Sequence, residues 1–246
     1  MYWPPTIRGV IDRRILVNFR ISPEPLESVL PDQFRPRTVA GPDGPRAIGG
    51  ICCIRLREMR LRGLPAAVGV TSENAAHRIG VEWDEGGATK TGVYVPRRDT
   101  SSRLNSLVGS RTFGRHFHAD FTVTEGGGRY ELRMENETDG VSMSVSATET
   151  DTFPEDSIFP DLSSASAYHE CGGVGYCPSP DGTQLNGIEL ATDEWHVKPL
   201  AVEDVHASFF ETAIPADGVA FDNALLMRDI GHEWRPRRSI STPETA

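Results

Sequence analysis

The amino-acid sequence predicts a mainly β protein of the α+β class, with a largely antiparallel sheet and a few short helices. The clearest observation is residues 141–148, where Val, Met and Ala alternate strictly with Ser and Thr. This period of two is typical of a strand with one buried and one solvated face. Glycine-containing turns at 125–128 and 138–140 join it to two further extended segments, as in an antiparallel meander.

The length and charge of the chain limit the number of domains and the kinds of partner that it can have. Its 246 residues suit one large domain, which we expect to span 1–246. The net charge of −10 and the scattered arginines argue against nucleic acid as a partner. No apolar run approaches the roughly 20 residues that cross a bilayer, and no signal-peptide pattern opens the chain. We therefore expect a cytoplasmic protein without a membrane partner. Whether it forms a homo-oligomer stays open.

The N-terminal part of the chain contains four extended segments and one helix. The extended segments are 10–21, 46–59, 78–83 and 90–95. Residues 22–31 are expected to form a short helix, since early prolines suit its first turn and Pro31 ends it. Pro96 has no amide hydrogen to donate, so we expect it to end the fourth strand.

The sequence next predicts a helix over 100–111. Three residues at its start offer side-chain oxygens that can accept from its first amides. They are Asp99, Thr100 and Ser101. Leu104, Leu107 and Val108 recur at the three-and-four spacing of one helical face. We therefore expect this helix to pack on the sheet through those three side chains.

Two histidines follow this helix. His116 and His118 are two residues apart in an extended segment, so we expect their side chains on one face of a strand. Imidazole titrates near neutral pH, which suits proton transfer. Two other interpretations stay open, namely structural histidines and a His-x-His metal site completed by Glu73 or another histidine.

The C-terminal part is less regular. Residues 152–181 are rich in Pro, Ser and Gly, which predicts a long loop or lid. Residues 188–195 have an extended pattern, and residues 202–210 mix helix and strand signals. In residues 221–234 the apolar spacing fits the period of a helix as well as that of a strand. From Pro236 onwards the tail is polar, and we expect it to fray.

The cysteines indicate neither disulfides nor a metal centre. Adjacent Cys52 and Cys53 are expected to face opposite sides of a strand as two small buried side chains. His169, Cys171 and Cys177 match no standard zinc spacing. With the His-x-His site kept as an alternative, the sequence predicts no bound metal and no cofactor.

The order of segments resembles a known superfamily. The stretches that carry the resemblance are VIDRRILVNFRISPEPLESVLPDQF at 10–34, a Ser-Glu-Asn segment at 72–74, GVYV at 92–95 and FGRHFHADF at 113–121. Over roughly residues 8–235 the chain resembles the acetoacetate decarboxylase-like superfamily, most closely its YqjF-like branch. The resemblance implies a cone-shaped β-barrel whose interior holds a pocket for one small ligand.

The chain departs from the decarboxylases at one motif. In those enzymes a Gly-Phe-Pro-Lys-Lys run supplies a Schiff-base lysine and a neighbour that depresses its pKa. The matching run here, 113–118, holds no lysine, and the only lysines of the chain are Lys90 and Lys198. Because a Schiff base requires a primary amine, we expect no Schiff base at this position.

The same resemblance suggests a site and a function. It places the superfamily's functional arginine on Arg13 or Arg14 and its functional glutamate on Glu73. We expect a small-molecule enzyme that acts on an oxygenated carbonyl or carboxylate metabolite by acid–base chemistry, as a lyase, dehydratase, cyclase or isomerase. The alternative is a non-catalytic small-molecule binding protein on the same barrel. The expected catalytic residues are His118, His116 and Glu73, and the expected substrate-binding residues are Arg13, Arg14 and Tyr94.

Overall fold

The computed structural model describes residues 5–108, 114–215 and 218–242. The strands are β1 (Ile7–Ile21), β2 (Arg35–Pro36), β3 (Thr38–Gly41), β4 (Gly44–Leu61), β5 (Val70–Glu85), β6 (Ala88–Thr100), β7 (Phe117–His118), β8 (Asp120–Gly126), β9 (Arg129–Glu135), β10 (Ser142–Glu149), β11 (Val174–Pro178), β12 (Gln184–Thr192), β13 (Lys198–Ala207) and β14 (Val219–Ser241). The helices are α1 (Pro23–Glu27), α2 (Arg103–Val108), α3 (Leu162–Glu170) and α4 (Ser208–Ala213), with a 3₁₀ turn at Ala66–Val68. No helix in these ranges is long and apolar enough to cross a membrane.

Seven strands close into a ring. Their order is β1, β4, β5, β6, β11, β12 and β14, and β14 pairs back with β1. Neighbours in the ring are antiparallel except β6 and β11, which run parallel. Beyond β14 the sheet continues through β13, β10 and β9 to β8. The predicted antiparallel β architecture is therefore confirmed, and its barrel is this ring of strands.

Successive side chains of β1 and β4 belong to two different cores. Ile15, Val17 and Cys53 pack against the apolar face of the β8–β9–β10 meander, outside the ring. Leu16 and Cys52 belong to the core inside the ring. Both cysteines are buried free thiols on opposite faces, as the alternation of a strand predicts.

The strand β6 does not end at Pro96, contrary to the prediction, but continues to Thr100. Its register with β5 shifts between His77 and Ile79, which pair with Arg97 and Tyr94. One residue of β5 therefore lies opposite two residues of β6, and Pro96 is one of those two. Such a bulge leaves a residue outside the ladder, so a proline without an amide hydrogen fits there.

The helix α2 also differs from its prediction. Its N-terminus is capped by Ser102, whose Oγ accepts from the amide of Asn105 at 3.2 Å. Asp99 instead lies buried at the end of β6, where Arg97 donates to both carboxylate oxygens. One of the three residues expected to pack on the sheet, Leu104, is instead 57% exposed. Residues 109–111 and the side chains at 107 and 108 lie outside the described part of the chain.

The C-terminal part is more regular than its sequence suggests. Residues 152–181 contain α3 and β11, where a loop or lid was predicted. Asp161 caps α3 by accepting from the amide of Ser164 at 2.7 Å. Within the described residues the predicted fraying from Pro236 is wrong, since this segment is paired with β12 as far as Ser241.

Candidate functional site

The ring of strands encloses a cavity of about 550 Å³. All seven ring strands contribute to its wall, which is predominantly apolar. Its polar and charged lining residues include Arg14, Cys52, Asn74, Arg78, Arg98, His116 and one carboxylate, Asp99, which Arg97 pairs. A small number of polar groups in an apolar cavity is the usual composition of a small-molecule site.

Arg14 reaches into this cavity from β1 without an acidic partner. Its Nε lies 3.1 Å from Sγ of Cys52, and its Nη1 lies 3.8 Å from Sδ of Met227. Its guanidinium carbon is 5.7 Å from the ring centre of Trp195. Sulfur is a weak acceptor, and none of these groups carries an opposite charge. Within the described residues, the recorded contacts of the Arg14 guanidinium include no carboxylate.

Arg78 is a second such guanidinium, and it is deeply buried. Its Nη2 donates to Oδ1 of Asn18, its Nη1 lies 3.4 Å from Nδ1 of His169, and its Nε has no hydrogen-bond partner. Burial, together with the nearby Arg14 charge, lowers the pKa of Arg78 to about 10, so the side chain stays positive at neutral pH. No described carboxylate pairs with it. A buried charge such as that of Arg78 is normally paired, so an anionic ligand would fit beside Arg78 and the partly buried Arg14.

His116 lines the same cavity. It precedes β7 and follows Gly114, whose φ of 87° lies in the left-handed region. Its Nδ1 lies 2.7 Å from the Gly114 carbonyl oxygen, so Nδ1 carries the proton of the neutral ring and Nε2 is the basic nitrogen. Burial and the Arg98 charge lower the pKa of His116 to about 4. The ring is therefore neutral at physiological pH and is able to accept a proton.

The sequence of residues 11–220 matches the profile of the DUF2071 family, described as an uncharacterized conserved protein. The chain belongs to the DUF2071 family. This match confirms the expected YqjF-like branch. A comparison with curated proteins gives no match.

Solved structures share the fold of this DUF2071 chain. An acetoacetate decarboxylase from Legionella pneumophila has a TM-score of 0.63 at 12% identity, covering 99% of this chain and 90% of its own. The enduracididine biosynthesis enzyme MppR in complex with pyruvate has a TM-score of 0.58 at 13% identity, covering 100% and 93%. An acetoacetate decarboxylase-like enzyme from Sphingomonas wittichii RW1 has a TM-score of 0.58 at 11% identity, covering 99% and 94%. At these identities the likeness shows the fold.

Two other expected site residues do not line the cavity of the DUF2071 chain. His118 lies in β7, where its carbonyl oxygen accepts from Asn136 at 3.1 Å. Tyr94 is buried beside Phe34, with ring centres 6.0 Å apart, and burial raises its pKa to about 12. Because His116 precedes β7 and is not part of that strand, the two histidines do not share one strand face.

Arg13 and Glu73 are separated from the cavity as well. They form a closed ring of charges with Arg55 and Glu125, in which each arginine binds both glutamates. Arg13 donates to Glu73 at 2.5 Å and to Glu125 at 2.8 Å, and Arg55 donates to the same two residues at 2.5 and 2.7 Å. Arg13 is fully buried. The structure thus brings Arg14 and His116 together at the cavity and places Arg13 and Glu73 on the outer face of the ring.

This charge tetrad also affects the acidity of its members. Burial alone would raise the pKa of Glu125, but hydrogen bonds and charges from Arg13 and Arg55 outweigh burial and lower it. The tetrad joins β1, β4 and β5 of the ring to β8 of the meander. Its geometry therefore suits a structural connection between the two layers.

We expect Glu73→Gln to lower the free energy of unfolding by about 1–3 kcal/mol, because one amide group would then face an arginine donor in a partly buried network. Urea unfolding at pH 7 measures this. The matched control is Glu131→Gln, which removes an exposed ion pair with Arg129 and should cost less than about 1 kcal/mol. Equal effects of the two substitutions would contradict a stabilising tetrad.

Neither lysine lines the cavity of the DUF2071 chain. Lys198 donates to Glu149 at 3.0 Å on the surface, and Lys90 is exposed in β6. Within the described ranges, no group of three or more His, Cys, Asp and Glu side chains is arranged to hold a metal ion.

Sequence reasoning missed Arg78 and Asn74 as site residues. Both lie on the face of β5 that points into the ring, with Ala76 between them. One pattern in the sequence could have identified them: these three residues alternate with Ala75 and His77, which are buried on the other face of the strand. A charged residue in a strand is ordinarily assigned to solvent, so this signal was not taken as a site.

Proposed function

We propose that the cavity binds a small carboxylate that also carries a carbonyl group and that the protein acts on it by acid–base chemistry. One observation carries the proposal, namely the pair of guanidiniums of Arg14 and Arg78 without a carboxylate partner in the described chain. A guanidinium binds a carboxylate through two parallel charge-assisted hydrogen bonds. A bound carboxylate would therefore supply the missing counter-charge.

His116 is the group proposed for proton transfer. Its neutral ring presents Nε2 as a base, which suits removal of a proton from carbon next to a carbonyl. The same ring then returns the proton, as a lyase, dehydratase, cyclase or isomerase reaction requires. Since His118 and Glu73 do not line the cavity, the proposal assigns them no proton transfer.

The names of the structural neighbours support the ligand class. One is an acetoacetate decarboxylase and another is MppR with pyruvate bound, so both names point to keto acids. A lysine-independent mechanism is part of the proposal, because Lys90 and Lys198 are on the surface. The second candidate function is a non-catalytic binding protein, which is favoured by the predominantly apolar wall and requires the arginines but not His116.

We expect Arg14→Met and Arg78→Met each to weaken the binding of pyruvate at least tenfold, because each removes a charge-assisted interaction of about 1.5–3 kcal/mol. Calorimetric or NMR titration at pH 7 gives the Kd. Arg35→Met is the matched control, since Arg35 pairs with Asp84 on the surface. Unchanged pyruvate affinity in both cavity variants, with the fold intact by circular dichroism, would contradict the proposed site.

A further inference from the structure

We propose that the ligand of this cavity carries an apolar tail of several carbons behind its carboxylate, so that the substrate class is medium-chain or similarly bulky oxo acids. This inference rests on the carboxylate site proposed above. It comes from the way the polarity and exposure of the cavity wall change along the β4–β5 hairpin.

The wall of this hairpin runs from a charged inner end to an apolar mouth. Cys52, which contacts Arg14, pairs with Ala76 at the buried end. Further along, Leu56 of β4 and then Met59 continue the same wall, and Met59 pairs with Val70. At a rise of about 3.3 Å per residue, the seven steps from Cys52 to Met59 span roughly 20 Å. The wall is therefore long enough for a ligand with a chain.

Exposed apolar side chains are concentrated at this mouth. The large apolar residues that are exposed in the described chain are Leu61, Leu64, Val68, Val70 and Leu104. Leu61, Val70 and Leu104 line the cavity, with exposures of 46%, 37% and 57%. The other two belong to the same 61–70 segment. Exposed apolar side chains at the entrance of a cavity are typical of a binding surface for apolar groups.

The polar groups near the mouth are already bound within the protein. Arg60 donates to the carbonyl oxygen of Leu64 at 3.0 Å and to that of Glu58 at 2.6 Å. Asn105 donates to Oγ of Ser72 at 3.2 Å. These groups do not require polar partners on a ligand, whereas the inner guanidiniums do. One charged end and one apolar end describe an amphiphilic ligand.

The size of the cavity agrees with this class. Its volume of about 550 Å³ falls within the range of about 300–1,000 Å³ that encloses drug-sized ligands. A four-carbon keto acid bound at Arg14 and Arg78 would leave most of the apolar wall in contact with water. Covering that wall is favourable in proportion to the apolar area removed from water.

The test is the affinity of the wild-type protein for butanoate, hexanoate, octanoate and decanoate, measured by calorimetry at pH 7. We expect the Kd to fall about threefold to fourfold per added methylene. If butanoate binds but the Kd does not change with chain length, the inference of an apolar tail is overturned, whereas the proposed carboxylate site is retained. Binding of 1-decanol as tight as that of decanoate would instead overturn the carboxylate site.

Two neighbouring leucines provide a matched pair of variants. Leu61 and Leu64 are equally exposed, at 46% and 48%, but only Leu61 lines the cavity. Leu61→Ser should weaken decanoate binding about threefold to tenfold and leave butanoate unchanged, whereas Leu64→Ser should change neither. Because both side chains are on the surface, both variants are expected to fold. Equal decanoate affinities for the two variants would overturn the placement of the tail along β4.

Discussion

We expect the free energy of unfolding to fall steeply as the pH is lowered from 6.5 to 4.5. The reason is a set of four neutral histidines among the seven of the chain, three of them buried and one, His116, partly buried. In each of them the folded structure lowers the pKa below the ordinary value of 6.5. They are His77, His116, His169 and His232.

Burial is the main cause in each case, and a nearby arginine adds to it. His77 is fully buried against Phe209, with ring centres 4.8 Å apart, and burial with the Arg97 charge lowers its pKa to about 3. Its Nδ1 lies 3.8 Å from the Asp99 carboxylate, too far for a hydrogen bond. Burial and the Arg14 charge lower the pKa of His232 to about 4.

The direction of the effect follows from proton linkage. Below pH 6.5 the unfolded chain binds a proton at each of these histidines, while the folded chain binds it only near its lowered pKa. The contribution to stability is therefore complete above pH 6.5 and is lost as the pH falls towards 4. Each histidine costs about 1.4 kcal/mol per pH unit in this window. His77 and His232 alone would cost roughly 5 kcal/mol over two units, a large part of a typical total of about 5–15 kcal/mol.

Urea unfolding at pH 7.5, 6.5, 5.5 and 4.5 measures this dependence. His232→Gln should flatten the slope by about 1.4 kcal/mol per pH unit, since one linked proton is removed. His196→Gln is the control, because the side chain of His196 is 80% exposed, and its slope should equal that of the wild type. Identical slopes for all three proteins would show that His232 is not buried in its neutral form.

Much of the fold could be predicted because its signals are local. The alternation at 141–148 predicted β10 with Met143, Val145 and Ala147 buried, and these residues are indeed in the core. The adjacent residues Cys52 and Cys53 likewise lie on opposite faces of β4, as their positions in a strand predicted. The failures depend on partners that are distant in sequence. Whether Pro96 ends a strand depends on the register of β5 opposite it, and the bulge there is not visible in the local sequence.

The site was harder to predict than the fold, for the same reason. The resemblance could not choose between Arg13 and Arg14, and a shift of one residue moves a strand side chain to the opposite face. In the structure Arg13 belongs to the charge tetrad, whereas the adjacent Arg14 lines the cavity. Arg78 was not predicted because the face of β5 that points inward is determined by closure of the ring between β1 and β14.

We expect His116→Asn to abolish most of the acid–base activity of the cavity. The assay is deuterium uptake in D₂O at the carbon next to the carbonyl of 2-oxobutanoate, followed by proton NMR, which requires no knowledge of the natural product. Asparagine keeps a donor for the Gly114 carbonyl oxygen but has no basic nitrogen. The exchange rate should fall by roughly 10²- to 10⁴-fold, the usual contribution of a positioned general base.

His118→Asn is the matched control, since His118 is only two residues away but does not line the cavity. Its exchange rate should equal that of the wild type, and thermal unfolding should confirm that both variants are folded. Loss of exchange in His118→Asn alone would transfer the catalytic role to the residue that strand alternation favoured. Wild-type protein that binds 2-oxobutanoate without accelerating exchange would identify the chain as a binding protein, because the arginines would then hold the carboxylate while His116 removes no proton.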